Sequence, residues 1–411
     1  MSEAVGFKCI NCGKEFEYTN VIYTCDKCAG NLDVVYDYKK IAQKTSKEKI
    51  SASKDLSIWR YMDFYPINSD SQVLPLQIGW TPLYKSGLLG KKIGYSNFFI
   101  KDDGRNPSAS FKDRAGAITV IKALESNVDL ICGASTGNAA SSLSCITASI
   151  GLKTIIFVPK TAPKAKIAQL LVFGAKVLCV DGTYDEAFDL CLQATEKYGW
   201  YNRNTGYNPY TREGKKSCSF EIVEQLGWKV PDYIFVSVGD GNIISGMWKG
   251  FKDLFNAGFV DKKPRMVACQ SNQSDAIKKA FEGDGVIREV KATTVADSIS
   301  VDLPRDGLAA VKAIQESEGF AVGIDDSEIL ESIKTLARGS GVFAEPAGAT
   351  SFAGLLQAFK AGKIKESDLA VTVVTGNGLK DVDSVRKTIA EPLNIKPDIK
   401  DIEENLNDIL A

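Results

Sequence analysis

From residue 97 onwards the chain alternates short, near-continuous apolar runs with longer stretches of helical periodicity. Such apolar runs are typical of strands covered on both faces, as in parallel sheets. The runs are 97–102, 130–134, 154–158, 176–181, 232–238, 265–269 and 369–375. The helical stretches are 111–126, 137–150, 163–173, 184–198, 214–226, 243–257, 308–318, 327–338 and 347–361. The pattern predicts an α/β fold with parallel sheets, whose ligands bind in loops at the carboxyl ends of the strands.

The chain of 411 residues contains no histidine, which excludes a histidine general base and a histidine metal ligand. Proton transfer then falls to Lys, Asp/Glu, Tyr or Ser side chains, to a cofactor or to the substrate. Its 50 basic and 51 acidic residues argue against nucleic acid and against an anionic membrane surface as partners. No apolar run reaches the roughly 18 residues of a membrane-spanning helix. The first residues lack a secretory-signal layout, so we expect a cytoplasmic protein with reduced thiols.

Four of the ten cysteines lie within the first 28 residues, as two Cys-x-x-Cys pairs separated by twelve residues. Two such pairs can close a tetrahedral thiolate site for Zn²⁺, with iron as an alternative metal. A complete shell of four thiolates leaves no open position for chemistry, so the metal would be structural. The spacing predicts a zinc-ribbon-like element over residues 1–35, with the ligands Cys9, Cys12, Cys25 and Cys28.

Two of the predicted strand-to-helix loops offer an amine that could attack an aldehyde and a cradle for a carboxylate. Lys112 begins a helix after a serine-rich loop, where burial and the helix N-terminus favour an unprotonated, nucleophilic amine. The alternative for this loop alone is a solvated surface lysine. The loop Ser135-Thr136-Gly137-Asn138 offers backbone N–H groups and hydroxyls that can hold a carboxylate. Its alternative is an ordinary capping loop.

Two further loops suit a phosphorylated heteroaromatic cofactor. Residues 239–243 (Gly-Asp-Gly-Asn-Ile) feed a helix N-terminus, which can bind a phosphate through backbone N–H groups. Their spacing matches neither a dinucleotide fingerprint nor a P-loop, which favours a single phosphate. Thr375 ends a strand and could hydrogen-bond a ring nitrogen, while residues 376–378 are also typical of a turn. The four loops together indicate pyridoxal phosphate, which would supply the electron sink of an enzyme without histidine.

These motifs resemble, in this order, those of the pyridoxal-phosphate enzymes of the tryptophan synthase β-subunit fold (fold type II). Within that fold the chain is most similar to the threonine synthases, over about residues 75–390 and in its zinc-ribbon-like extension. The motifs are Gly79-Trp-Thr-Pro-Leu83, Ser110–Arg114, Ser135–Asn138, Gly239–Asn242, Glu345-Pro-Ala and Thr375–Asp381. The resemblance implies a homodimer in which the cofactor lies between two parallel-sheet α/β domains. Residues 36–110 with 205–411 would form the large domain and 111–204 the small one.

The resemblance also implies a role for each residue of the site. Lys112 would carry the cofactor, Asn138 would bind its phenolic oxygen and Thr375 its ring nitrogen. The cofactor phosphate would be held by the backbone of Gly239, Asp240, Gly241, Asn242 and Ile243. The substrate would be bound through its carboxylate by Ser135, Thr136 and Gly137 and through its phosphate by Arg212.

The implied reaction converts O-phospho-L-homoserine and water into L-threonine and phosphate. The chain departs from the family pattern at Ala139, where Thr is frequent, and at Thr211-Arg212, where the arginine lies one residue late. Arg203, Lys215 and Lys216 are alternative phosphate ligands. Alternative functions are a threonine/serine ammonia-lyase, a β-replacing synthase such as cysteate synthase, or a non-catalytic zinc-ribbon binding module.

Overall fold

The computed structural model describes residues 2–18, 23–162 and 164–406. Its strands are β1 (Ala4–Cys9), β2 (Glu15–Glu17), β3 (Leu32–Tyr36), β4 (Leu83–Lys85), β5 (Phe98–Asp102), β6 (Leu130–Ala134), β7 (Lys153–Pro159), β8 (Lys176–Val180), β9 (Tyr201–Asn202), β10 (Tyr233–Ser237), β11 (Arg265–Ser271), β12 (Phe320–Ile324) and β13 (Ala370–Val374).

The α-helices follow the strands as the alternating pattern predicts. They are α1 (Tyr38–Lys44), α2 (Lys47–Ser51), α3 (Gly87–Ile93), α4 (Lys112–Glu125), α5 (Asn138–Ala148), α6 (Lys164–Val172), α7 (Tyr184–Tyr198), α8 (Tyr210–Lys215), α9 (Ser217–Gln225), α10 (Asn242–Asn256), α11 (Ala276–Glu282), α12 (Gly307–Glu316), α13 (Asp326–Ser340), α14 (Pro346–Lys360), α15 (Val382–Arg386) and α16 (Ile399–Glu404). Short 3₁₀ helices lie at Ile58–Phe64, Asp103–Arg105, Asp297–Ile299 and Gly378–Lys380.

The larger sheet has six strands in the order β12-β11-β10-β13-β5-β4. All neighbours pair in parallel except β4, which lies antiparallel on the edge. Helices α13 and α14 with α3 lie over one face, and α10, α11 and α12 over the other. Every residue of β10 and β13 is therefore buried, which explains their uninterrupted apolar sequences.

The smaller sheet has four parallel strands in the order β8-β7-β6-β9. Helix α7 packs on one face, and α5 and α6 pack on the other. Helix α4 lies between the two sheets, because it contacts both α5 and α8. The first residue of α4 is thereby held where the carboxyl ends of the two sheets face each other.

The N-terminal element is a three-stranded antiparallel sheet in the order β2-β1-β3. Phe7, Leu32 and Val34 are buried in it and belong to the same apolar core as α10. The element is therefore packed onto the large sheet's helical layer and does not extend freely from the chain.

The α/β class and the two parallel sheets predicted from the sequence are confirmed. The predicted helix over 214–226 is wrong in its start, since two helices, α8 and α9, span 210–225. The earlier start follows from Asn208, whose side chain accepts a hydrogen bond from the backbone of Tyr210 at 2.9 Å. The sequence pattern also missed β12, where Gly323 interrupts a short apolar run. Residue 163, the predicted start of α6, lies outside the described residues.

The predicted domain boundaries stay a prediction. Strands β4 and β5 lie in 36–110 and β10–β13 in 205–411, while β6–β9 all lie in 111–204. Across the described ranges, no helix combines the length and apolar character needed to cross a bilayer.

Candidate active site

A cavity of about 490 Å³ opens between the carboxyl ends of the two parallel sheets. This is where an open α/β sheet places its ligands, and the volume suits a small organic molecule. Its walls are formed by segments 134–139, 183–185, 237–244 and 297–303, together with Lys112 and Lys215. The structure thus brings together three of the four loops selected from the sequence.

Lys112 is the first residue of α4 and projects into this cavity. Its helix is fixed at the start by two contacts: Phe111 N–H donates to the carbonyl of Thr375 at 2.8 Å, and Ser108 donates to Asp113 at 2.5 Å. Among the described residues, the Lys112 amine has no hydrogen-bond or ion-pair partner. Burial lowers the pKa of Lys112, and the carboxylate of Asp240 opposes that shift. An unpaired amine of lowered pKa can act as a nucleophile or a base.

The loop Ser135–Asn138 connects β6 to the N-terminus of α5. Ala134 N–H donates to the side chain of Asn204 at 2.7 Å, which fixes the end of the strand. A Cβ on Gly137 would have no atom within 4 Å, so this backbone faces open space at the helix start. Ser135 N–H donates to the carbonyl of Phe157 and Gly137 N–H donates to Ser135 Oγ, each at 3.2 Å, which fixes the shape of the loop. The loop lines the cavity at the start of α5, a position suited to a carboxylate.

The loop Gly239–Ile243 connects β10 to α10, and its shape depends on one glycine. Gly241 has φ 89°, and a Cβ there would lie 2.8 Å from the carbonyl oxygen of Asp306. A side chain at Gly241 would therefore clash and would also be strained. Arg305 N–H donates to Asp240 Oδ1 at 3.1 Å, and Asn242 Nδ2 donates to Asp306 Oδ2 at 2.7 Å. The loop is held rigidly at the N-terminus of a fifteen-residue helix.

Glu345 is a buried carboxylate of this site to which sequence reasoning assigned no role. Its Oε1 accepts a hydrogen bond from Asn138 Nδ2 at 2.7 Å, across 207 positions of sequence. Burial raises the pKa of Glu345 to about 7. The signal in the sequence is an acidic residue directly before the helix-starting Pro346, which reports a helix start and gives no information about Asn138.

Two of the predicted site residues do not line the cavity. Thr375 is 7% exposed and lies beside Lys112 through the Phe111 contact, but its side chain is outside the cavity wall. Arg212 is 3% exposed and donates to Asp306 at 2.6 Å, to Asp33 at 3.3 Å and to the carbonyl of Leu32 at 3.0 Å. The expectation that Arg212 binds a substrate phosphate therefore conflicts with its contacts, because its guanidinium is already neutralised by two carboxylates.

A network of buried ion pairs holds the start of α4 in place. Arg114 donates to Asp103 at 2.6 and 2.9 Å and to Glu221 at 2.5 and 2.7 Å. Lys101 lies 2.7 Å from the same Glu221 carboxylate, and all four side chains are fully buried. Arg114 and Lys101 hold the pKa of Glu221 at about 2 despite its burial.

The four N-terminal cysteines come together as their spacing predicts. Their sulfur atoms all lie within 4.8 Å of one another, with Cys9 and Cys28 at 3.5 Å and Cys12 and Cys25 at 3.7 Å. A tetrahedral Zn²⁺ with Zn–S bonds of about 2.3 Å requires S–S distances of roughly 3.8 Å. Cys12 N–H also approaches the Cys9 sulfur at 3.5 Å, as in a metal-binding turn. The donor set fits one tetrahedral ion.

A family model described as pyridoxal-phosphate dependent enzyme matches residues 74–376 of the chain. Two curated relatives match almost the whole chain, and both are described as threonine synthase. The protein from Methanocaldococcus jannaschii is 37% identical, covering 98% of this chain and 99% of that protein. The protein from Methanosarcina acetivorans is 38% identical, with 97% of each chain covered.

Solved structures resemble the fold at lower sequence identity. A threonine deaminase isoform from Solanum lycopersicum superimposes with a TM-score of 0.64 at 23% identity, covering 75% of this chain and 86% of that one. Diaminopropionate ammonia lyase from Escherichia coli has a TM-score of 0.65 at 17% identity, covering 79% and 94%. At these identities the likeness concerns the fold alone.

Proposed function

The chain belongs to the pyridoxal-phosphate-dependent enzymes and, among them, to the threonine synthase family, and on this premise we propose that it converts O-phospho-L-homoserine and water into L-threonine and phosphate. The observation that carries the proposal is the cavity at the sheet ends. It combines an unpaired lysine, a carboxylate cradle and a glycine-rich phosphate cradle in a chain without histidine. The near full-length relatives support the same substrate.

The residues present fit pyridoxal phosphate. Lys112 would hold the cofactor through its unpaired amine, and residues 239–243 would bind its phosphate with the N-terminus of α10. Asn138 would contact the cofactor's phenolic oxygen, with Glu345 orienting the amide through their 2.7 Å hydrogen bond. Thr375, which lies beside the start of α4 and not on the cavity wall, is the proposed hydrogen-bond partner of the ring nitrogen. When bound, pyridoxal phosphate supplies an electron sink for carbanions at the substrate's Cα.

The remaining tasks fall to side chains of this chain. Ser135, Thr136 and Gly137 would bind and orient the substrate carboxylate. Lys112 would move protons among the substrate's carbons, because its amine at the cavity wall has no hydrogen-bond or ion-pair partner among the described residues. Burial lowers the pKa of Lys112, which favours the unprotonated amine that a general base requires.

The substrate is tested by a panel assay on the purified, cofactor-loaded enzyme. With O-phospho-L-homoserine we expect equal amounts of L-threonine and inorganic phosphate, measured by amino-acid analysis and by phosphate release. With L-threonine, L-serine and O-phospho-L-serine we expect turnover at least about tenfold slower. The physical reason is that these molecules lack either the phosphate leaving group or its γ position.

The same assay panel can also refute the proposed function. Ammonia release from threonine or serine, without phosphate release from phosphohomoserine, would assign the chain to the ammonia-lyases and refute the proposal. Release of phosphate from phosphoserine in the presence of an added nucleophile would indicate a β-replacing synthase.

We further propose that Cys9, Cys12, Cys25 and Cys28 bind one structural metal ion, zinc or iron. The sulfur distances support a tetrahedral site, and four thiolates leave no position for substrate. The adjoining Asn31 side chain donates to Asp306 and to the carbonyl of Arg305, each at 2.8 Å. The metal would therefore stabilise a segment that is bonded to the loop carrying Arg305 and Asp306.

Elemental analysis of the untagged protein is expected to give one zinc or iron per chain, and Cys9→Ser is expected to lose it. The substitution should lower the melting temperature much more than kcat, because a closed thiolate shell contributes to folding and not to chemistry. Cys179→Ser, at an exposed single cysteine, is the control and should change neither quantity. Full stability in Cys9→Ser with no bound metal would refute the site.

A cytoplasmic location and a homodimer complete the proposal. The cysteines of the described residues are all free, which suits a reducing compartment.

A further inference from the structure

Among the described residues, Lys215 is a fully buried lysine without an ion-pair partner. It ends α8, and its side chain lines the cavity. Its ammonium donates to the side-chain oxygen of Asn242. No carboxylate pairs with it among the described residues. A buried charge without a counter-charge is unfavourable, and burial together with Lys112 and Arg203 lowers the pKa of Lys215 well below its ordinary value. An anion bound beside the amine would stabilise its charged form.

Two neighbouring buried lysines, in contrast, form ion pairs with carboxylates. Lys216, the next residue, lies 2.6 Å from Glu213 and 2.8 Å from Asp253. Lys249 lies 3.4 Å from Asp253 and 3.6 Å from Glu213. Lys215 differs from both in that its partner is a neutral amide. No side chain of the described residues pairs an anion with Lys215, so an anion at this position would come from a bound molecule.

A second cation close by is also incompletely paired. Arg203 is 3% exposed, and within the described part of the chain its Nε and Nη2 atoms have no hydrogen-bond partner. Its Nη1 donates to Thr205, a residue of the cavity wall, at 3.1 Å. Arg203 and Lys215 both lie near enough to Lys112 to influence one another electrostatically. Three cations thus lie near this end of the cavity, with the carboxylates of Asp240 and Asp306 close to Lys215, Glu345 near Lys112 and Asp113 near Arg203.

The partner of Lys215 shows where the anion would sit. Asn242 is the first residue of α10, directly after the glycine-rich loop. The ammonium therefore lies at the end of the helix where free N–H groups point outward and negative charge is stabilised. A helix N-terminus, a glycine-rich loop and a buried ammonium together form a site for a doubly charged tetrahedral anion.

We propose that Lys215 is the cationic ligand of a phosphate group bound at the N-terminus of α10. The inference rests on the proposed function only for the choice between two sources of that phosphate, the cofactor and the substrate. Charge-assisted hydrogen bonds from a desolvated ammonium are stronger than those from backbone N–H groups alone. Lys215 would therefore supply charge that the glycine-rich loop cannot.

The test compares Lys215→Met and Lys215→Arg with the unmodified full-length chain. Apoprotein is titrated with pyridoxal phosphate and, separately, with pyridoxal, which lacks the phosphate; binding is followed by cofactor absorbance. If the cofactor phosphate is the ligand, Lys215→Met weakens pyridoxal phosphate binding about 10- to 100-fold and leaves pyridoxal binding unchanged. Lys215→Arg should restore most of the loss, since it keeps the charge.

The second arm tests the substrate phosphate. Cofactor-loaded protein is titrated with inorganic phosphate, and binding is followed by calorimetry. If Lys215 ligates the substrate's phosphate, Lys215→Met leaves cofactor binding unchanged and weakens binding of inorganic phosphate by a similar factor. Neither arm requires turnover, so both remain readable if phosphohomoserine is not the substrate.

The control is Lys252→Met on α10, which removes the same charge at a surface pair with Glu316. It should alter neither titration. The inference is overturned if Lys215→Met binds pyridoxal phosphate and inorganic phosphate as tightly as the unmodified protein. Should Lys215→Met fail to fold, Lys215→Gln, which retains polarity without charge, replaces it under the same criteria.

Discussion

Replacing Lys112 by alanine is expected to reduce turnover of phosphohomoserine by about 10²–10⁴-fold or more, the typical contribution of a positioned acid–base group. The physical reason is that the Lys112 amine lines the cavity without a partner among the described residues, whereas the other cavity lysine, Lys215, is hydrogen-bonded to Asn242. The protein should still bind pyridoxal phosphate, because residues 239–243 form a separate phosphate cradle. Steady-state kinetics and cofactor absorbance measure the two effects independently.

The matched control is Lys122→Ala, on the same helix but paired with Glu125 at 2.5 Å and away from the cavity. It should retain turnover. Borohydride treatment of the unmodified enzyme should fix the cofactor on the peptide that contains Lys112. Labelling of Lys101 or Lys380 in its place would contradict the assignment, and so would an active Lys112→Ala enzyme.

Replacing Arg114 by methionine is expected to destabilise the fold by about 3–5 kcal/mol, the cost of breaking a buried ion pair from one side. Asp103 and Glu221 would each lose two hydrogen bonds from the guanidinium while remaining fully buried. Because Arg114 lies two residues after Lys112, the start of α4 would also lose its support. Chemical denaturation followed by circular dichroism measures the loss.

Arg288→Met provides the control for this experiment. Arg288 makes a similar two-pronged pair with Asp284, but on the surface, where solvent screens the interaction. Its denaturation midpoint should match that of the unmodified protein. Equal midpoints for Arg114→Met and Arg288→Met would show that the buried network does not stabilise the fold.

The same network gives the unmodified protein a defined sensitivity to acid. The pKa of Glu221 is about 2 in the folded chain, against an ordinary value of 4.5. A depressed pKa means that its stabilising contribution is complete above pH 4.5 and is lost as the pH falls from there towards 2. The denaturation midpoint of the unmodified protein should therefore fall over this range, and Arg114→Met should show a smaller fall.

The sequence by itself determined the architecture and the position of most site loops along the chain. Near-continuous apolar runs that alternate with helical stretches are typical of strands covered on both faces, and strand ends in such sheets carry the ligand-binding loops. The lysine at the start of α4 and the glycine-rich loop before α10 could therefore be selected without coordinates. The four cysteines could likewise be predicted as metal ligands from the sequence, because a tetrahedral thiolate site requires a characteristic spacing of its ligands along the chain.

The tertiary structure alone decided which charged side chains are available. Lys215 and Lys216 are adjacent and chemically identical, yet a one-residue step turns a helix by about 100°. Lys216 therefore meets Glu213 and Asp253, while Lys215 faces the cavity with an amide for a partner. The guanidinium of Arg212 forms ion pairs with Asp33 and Asp306 and does not line the cavity. Glu345 accepts a hydrogen bond from Asn138, which lies 207 positions away in sequence. These pairings depend on segments distant in sequence, so local patterns carry no information about them.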